Sequence, residues 1–169
     1  MQAEGRVFKY GDNVDTDVII PARYLNATTG EELAKHCMED IDKDFASTVQ
    51  PGDIIVAGPN FGCGSSREHA VYCLQYAGVP CVLAETCSRI YYRNAINNGY
   101  PVLFVKGIAQ AIEEGKIKNG DTLEVDLSTG EIVDTATGEN FHGDAVSDLE
   151  HDIMQAGGLF QYMKAHTQS

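Results

Sequence analysis

Asn60-Phe61-Gly62-Cys63-Gly64-Ser65-Ser66-Arg67-Glu68-His69-Ala70 decides the reading of this chain. Before it runs the apolar stretch Asp53-Ile54-Ile55-Val56-Ala57, a short buried strand. After it, Ala70, Val71, Leu74 and Ala77 recur at helical spacing and predict a helix from about Ser65 to Tyr76. Gly62 and Gly64 thus fall in a strand-to-helix turn, where glycine permits backbone closed to other residues. The serines fall at the first helical positions, where free N–H groups and the positive end of the helix dipole meet. Arg67 adds a guanidinium able to grip a carboxylate through two parallel hydrogen bonds. Together these groups suit a small anion, a carboxylate or a phosphate. A Gly-Ser-Ser run is also what an ordinary N-cap looks like, with Glu68 or His69 completing the first turn. Composition leaves the anion site and the well-capped helix both open.

Outside this stretch the chain has the stamp of an ordinary globular domain. Its 169 residues suffice for one domain, 1–169, with a proper core. No run approaches a membrane span, and Met1-Gln2-Ala3-Glu4-Gly5 lacks the basic and apolar regions of a signal peptide, so the expected location is cytoplasmic. With 25 acidic and 12 basic residues the net charge is −13, which repels nucleic acid and anionic membranes. It also repels a dicarboxylate, so cations such as Arg67 must prevail locally, which screening over roughly 8 Å at physiological salt allows. The five cysteines are Cys37, Cys63, Cys73, Cys81 and Cys87, an odd number without any Cys-x-x-Cys. Neither a disulfide framework nor a zinc or iron–sulfur site is expected from such spacing. Cys73 and Cys81 read as small buried hydrophobes, and Cys63 as a tolerated small residue rather than a nucleophile.

Taken in order, Arg6–Tyr10 reads as an opening strand. In Gly11-Asp12-Asn13-Val14-Asp15-Thr16-Asp17, the carboxylates invite a calcium reading, but the glycine and distal glutamate of an EF-hand loop are not at the required offsets. An Asx-rich turn leading into a strand Val18-Ile19-Ile20 is expected instead. Pro21–Gly30, small and polar without periodicity, reads as a mobile loop before a helix near Glu31–Met38. Within it Arg23 serves either as a carboxylate contact or as a solvated charge. His36, Glu39, Asp40, Asp42 and Asp44 resemble a metal cluster only on paper; a polar helix end and an acidic surface loop explain them. Cys81–Ala84 is a second strand, so strand, helix and strand form a parallel crossover with the ligand turn at the carboxyl end of the first strand. A helix from Cys87 to Asn98 carries Arg89 and Arg93, the latter open between meeting the ligand and, the preferred reading, bracing the turn. Pro101–Val105 is a third strand, Ile108–Glu114 a helix. Asp121–Leu127, Glu131–Asp134 and Asn140–His142 form hairpin strands, and Asp144–Gln155 and Leu159–Lys164 closing helices.

Gly62-Cys63-Gly64-Ser65-Ser66-Arg67-Glu68-His69 closely resembles the Gly-x-Gly-Ser-Ser-Arg-Glu-His signature of the aconitase superfamily's mobile domain. The Asp15-Thr16-Asp17-Val18-Ile19-Ile20-Pro21 and Ser88-Arg89-Ile90-Tyr91-Tyr92-Arg93-Asn94-Ala95-Ile96-Asn97-Asn98-Gly99 runs are similar to the same group, and from about Gly5 to Leu159 the chain looks like a small subunit of its isopropylmalate isomerase branch. The resemblance implies an α/β fold: a swivelling β/β/α domain with a parallel sheet flanked by helices and an antiparallel hairpin portion. It implies Ser65 as the catalytic base, Ser66, Arg67 and Gly64 at the substrate carboxylate, and Arg23, Tyr24, Leu25 and Asn26 toward the variable part of the substrate. It also implies a [4Fe–4S] cluster on a separate large subunit, none bound by this chain, and a small dicarboxylate substrate. Homoaconitase-like members place an arginine just after Tyr-Leu; here that place is Asn26, and Leu25 and Ala27 beside it would tolerate a branched alkyl group. A buried third carboxylate would lack a partner there. A homoaconitase or another alkylmalate hydratase stands as the alternative within the class, and a non-catalytic carboxylate-binding module as the alternative outside it.

Overall fold

The computed structural model describes residues 2–27, 29–64, 67–145 and 147–167. Its strands are β1 (Gln2–Lys9), β2 (Ile54–Ala57), β3 (Val82–Ala84), β4 (Val102–Phe104), β5 (Thr122–Asp126), β6 (Glu131–Asp134) and β7 (Asn140–His142). They share one sheet in the order β4-β3-β2-β1-β5-β6-β7. From β4 to β1 neighbours are parallel, and from β1 to β7 antiparallel. β1 serves both halves. Its residues Val7–Lys9 pair with Ile54–Val56, and Gln2–Arg6 pair with Thr122–Asp126. Within the antiparallel pairing Gly5 passes the turn before β2 so closely that a Cβ would fall 1.8 Å from the Gly52 carbonyl oxygen. Arg6 then ties the strands together, donating from Nη2 to the Asp53 carboxylate at 2.9 Å.

Parallel strands need crossovers, and the helices supply them. The β1–β2 link carries α1 (Thr16–Ile19), a 3-10 turn (Ala22–Tyr24), α2 (Gly30–Ala34) and α3 (Phe45–Thr48). The next links carry α4 (His69–Tyr76), α5 (Arg89–Asn97) and α6 (Ile108–Glu113), and α7 (Asp148–Ala156) and α8 (Leu159–Thr167) follow β7. Every residue of β2 is buried, as continuous apolar runs in covered parallel strands require. Ile55, Ala57, Val82 and Ala84 pack with α4 and α5 through Ala70, Val71, Leu74, Tyr91 and Ala95. On the other face Ile54, Val56, Leu83 and Leu103 meet Ile108 and Ala111 of α6 and Leu123 and Ile132 of the antiparallel half. The α/β class, with a parallel sheet between helices and an antiparallel hairpin portion, is the one expected.

Local readings differ in several places. Val18–Ile20 is not a strand: Asp15 caps α1 by accepting from the Asp17 N–H at 2.6 Å, and the chain coils for one turn. That cap overrides the β preference of Val-Ile-Ile. The Pro21–Gly30 stretch contains the 3-10 turn, and it is tied down by side chains described below. α3 lies just past the acidic residues read as surface loop, in a stretch given no element, and buries Phe45 against Phe8 at 4.9 Å between ring centroids. α4 runs from His69, after a tight turn at Arg67 and Glu68 in which the Arg67 carbonyl accepts from Ala70 N–H; the expected start at Ser65 lies outside the described residues. α5 begins at Arg89, not Cys87, since Ser88 is its N-cap, and α7 begins at Asp148 rather than Asp144, behind a Ser147–Glu150 capping box.

Candidate functional site

The motif turn extends the sheet beyond the carboxyl end of β2, where ligands of open α/β sheets bind. On one side Cys63 bridges to Asp15, with Gly62 N–H donating to the Val14 carbonyl at 2.7 Å and Thr16 N–H to the Cys63 carbonyl at 2.8 Å. On the other Phe61 bridges to Cys87, and Ser88 Oγ donates to the Gly62 carbonyl at 2.8 Å while accepting from Tyr91 N–H at 3.2 Å. Gly62, at φ +75°, lies against Tyr91, and a Cβ there would come within 2.3 Å of a ring carbon. Tyr91 is itself fixed, its hydroxyl donating to the Ala70 carbonyl at 3.1 Å and its ring meeting Phe61 edge-on. Gly64, at φ +102°, faces the Asp15 carboxylate, which a Cβ would approach to 3.0 Å. Three chain segments therefore hold the turn.

Arg67 points back across this turn. Its Nη1 donates to Asp17 Oδ1 at 2.8 Å, and the same oxygen accepts from Ala22 N–H at 3.0 Å. The Arg67 hydrogen bond, then the Ala22 N–H, hold the Asp17 carboxyl below its ordinary range. One edge of the guanidinium is thus fixed, and no hydrogen bond from its other amine is made among the described residues. Ser65 and Ser66, the expected base and its neighbour, lie outside the described residues. Cys63 beside them is a poor nucleophile: partial burial, reinforced by the Asp15 charge, pushes its thiol up.

The loop that follows α1 is engaged within the chain. Arg23 donates through Nη2 to Glu39 at 2.8 Å and to Asp40 at 2.7 Å, and lies over the Tyr24 ring at 4.9 Å. Tyr24 stacks on His36 at 3.9 Å and donates to Glu39, a bond that, with those from Arg23 and His36, keeps the Glu39 carboxyl below its usual range. Tyr24, Leu25 and Ala27 pack against the core and leave Asn26 exposed between them. Of the acidic residues that suggested a metal on paper, Glu39 and Asp40 serve this loop, while Asp42 accepts from the Tyr10 hydroxyl at 3.0 Å; among the described residues no group of three or more His, Cys, Asp or Glu could hold a metal ion.

The structure brings Gly64, Arg67 and the Asp15–Asp17 turn together, and places Arg23–Asn26 on the segment leading from that turn. Sequence reasoning passed over Asp17, the anchor of Arg67, and Ser88, the clamp on Gly62. Ser88 was findable, since a serine ahead of Ile90, Tyr91 and Ala95 has the form of an N-cap. Arg93, read as bracing the turn, makes no hydrogen bond or ion pair among the described residues and is exposed.

Comparisons with known proteins establish the family and the fold. Residues 23–107 match the family model of the aconitase C-terminal domain. The 3-isopropylmalate dehydratase small subunit of Halothermothrix orenii is 56% identical over 97% of this chain and 96% of its own length. The 2,3-dimethylmalate dehydratase small subunit of Eubacterium barkeri is 53% identical over 98% of each. The crystal structure of a 3-isopropylmalate dehydratase from Methanocaldococcus jannaschii superposes with a TM-score of 0.90 at 46% identity, covering 99% of this chain and 96% of that one. The chain belongs to the family of 3-isopropylmalate dehydratase small subunits, built on the aconitase C-terminal domain.

Proposed function

We propose that this chain is the small subunit of a 3-isopropylmalate dehydratase, interconverting 2- and 3-isopropylmalate by loss and return of water in leucine biosynthesis, in the cytoplasm and together with a large subunit. Removing a proton alpha to a carboxylate requires a base and stabilisation of the charge that develops on that carboxylate. We assign the base to Ser65, acting as an alkoxide, and the carboxylate grip to Ser66 and Arg67. The single observation that carries the reading is Arg67, anchored on one edge by Asp17 beside the two-glycine turn and offering its other edge to an anion. Bidentate geometry fits a carboxylate there. As the family resemblance implies, we place the [4Fe–4S] group on the large subunit and assign this chain proton transfer and carboxylate binding.

Substrate choice follows from the loop after α1. Arg23, its only cation, is neutralised by Glu39 and Asp40, and Asn26 is uncharged. A third carboxylate, as in homocitrate, finds no free partner in it. We therefore assign Arg23 to holding Tyr24, Leu25 and Asn26 in place, and the loop to a branched alkyl group. The Eubacterium barkeri relative, named for 2,3-dimethylmalate, favours a smaller alkylmalate as a second reading. The test mixes this chain with the cluster-loaded large subunit and assays isopropylmalate, 2,3-dimethylmalate and homocitrate, for wild type and Ser65→Ala. Turnover of isopropylmalate that needs both chains and drops by at least about 100-fold in Ser65→Ala is the expected result. A folded Ser65→Ala with full activity removes the base assignment, and rapid homocitrate turnover removes the substrate reading.

A further inference from the structure

The exposed face of α5 is distinctive in so acidic a chain. Three of the five arginines, Arg6, Arg23 and Arg67, have carboxylate partners. The other two, Arg89 and Arg93, stand one helical turn apart on α5, both exposed and without an ion pair among the described residues. Between them Ile90 is 49% exposed, an uncommon site for a large aliphatic side chain. The same helix and α7 border a groove of about 300 Å³ lined by Arg89, Tyr92, Arg93, Ile96, Asn97 and Glu150. Leu149, next to Glu150, is 56% exposed as well. Glu150 is already committed, capping α7 and accepting from the Tyr92 hydroxyl. The face also touches the site: Ser88, immediately before Arg89, is bonded to the Gly62 carbonyl.

We propose that this face, Arg89-Ile90-Arg93 with the α5–α7 groove, docks the large subunit through a carboxylate-bearing patch that seats Ile90. The proposal rests on the two-subunit reading above and names the surface that the reading leaves open. Charge decides the occupant. A chain of net charge −13 repels an acidic partner except where its own cations are unneutralised, and on this face two such cations stand one helical turn apart beside the motif turn. Exposed Ile90 and the apolar groove wall distinguish a protein partner from a small anion, because arginines around an apolar centre are the composition of interfaces.

The test titrates the full chain against the cluster-loaded 3-isopropylmalate dehydratase large subunit of the same organism by calorimetry, at low and high salt. The expected result is a dissociation constant raised by about 100-fold in the Arg89→Glu, Arg93→Glu double variant, with kcat at saturating partner unchanged to within about twofold. The neutral Arg89→Gln, Arg93→Gln pair, expected to fold like wild type, should weaken binding less and flatten its salt dependence. Lys118→Glu, on an exposed loop residue outside this face, should leave the constant unchanged. Full-strength binding by folded double variants overturns the docking surface, and unchanged binding with a raised KM for isopropylmalate shows that the arginines meet substrate instead. If the wild-type chain itself fails to bind, the two-subunit reading falls too; if it binds and the variants bind equally, only the surface falls.

Discussion

Arg67 has one edge anchored by Asp17 and another that, among the described residues, makes no hydrogen bond. Asp17 Oδ1 fixes Nη1 and is itself fixed by the Ala22 N–H, so the guanidinium is aimed before any substrate arrives. In the carboxylate-binding role proposed for Arg67, losing that aim costs transition-state positioning, where a misplacement of about 1 Å can cost on the order of 100-fold. Asp17→Asn keeps an acceptor and loses the charge, and should lower kcat/KM for isopropylmalate by about tenfold, mainly through KM, in steady-state assays of the two-chain enzyme. Asp17 has its carboxyl pKa depressed, so the pairing is complete above the ordinary carboxylate range and is lost only as pH falls through the lower folded value. No change in KM between pH 6 and 8 is therefore attributable to Asp17. An unaltered KM in Asp17→Asn would mean that substrate does not use Arg67.

At the scale of elements, α5 is the part on which the motif turn leans. Ser88 both caps α5 and holds the Gly62 carbonyl, so Ser88→Ala removes a cap and a clamp together. The expected loss is about 1–2 kcal/mol, read as a lower urea midpoint with an unchanged slope. Ser88→Thr should recover most of it, and an unchanged midpoint in the alanine variant would show that α5 is held without its cap. The elements that the sequence disclosed are those with uncontested signals. β2 is an apolar run bounded by Pro51-Gly52 and Gly58-Pro59, and the hairpins carry Thr-Gly turns. The failures share one physical cause: a side chain reaching across the chain replaces the local preference. Val18–Ile20 coils because Asp15 caps it, and Arg23–Asn26 is ordered because Glu39 and Asp40 reach it from 16 and 17 residues away. The glycines, Arg67 and their turn were legible because their chemistry is local. Asp17 as their anchor was not, since 50 residues separate it from Arg67.

For the whole molecule, protons are kept where water is absent. Burial pushes up the thiols of Cys73 and Cys81, the latter to about 12, and the hydroxyls of Tyr91 and Tyr100. In the unfolded chain the thiols ionise near about 8.5 and the phenols near about 10. Folded values above unfolded ones mean that stability is complete below about pH 8.5 and is lost as pH climbs toward the folded values. The urea midpoint should be level from pH 6.5 to 8 and then fall, by a few kcal/mol of unfolding free energy near pH 9.5. A midpoint that stays level to pH 10 would mean that these groups ionise equally well inside the fold.

β1 stands at the middle of the sheet yet is made before the other six strands. During synthesis its Val7–Lys9 half meets a partner when Ile54–Val56 emerges, and the parallel half is complete once Phe104 has left the ribosome. Its Gln2–Arg6 half must wait for Thr122–Asp126. Until then the nascent chain carries an open sheet edge at its own centre, the kind of edge that invites pairing with another molecule. The alternation of Glu4 and Arg6 with Ala3 and Gly5 makes that waiting strand small and charged, a composition that resists pairing with another molecule until β5 arrives.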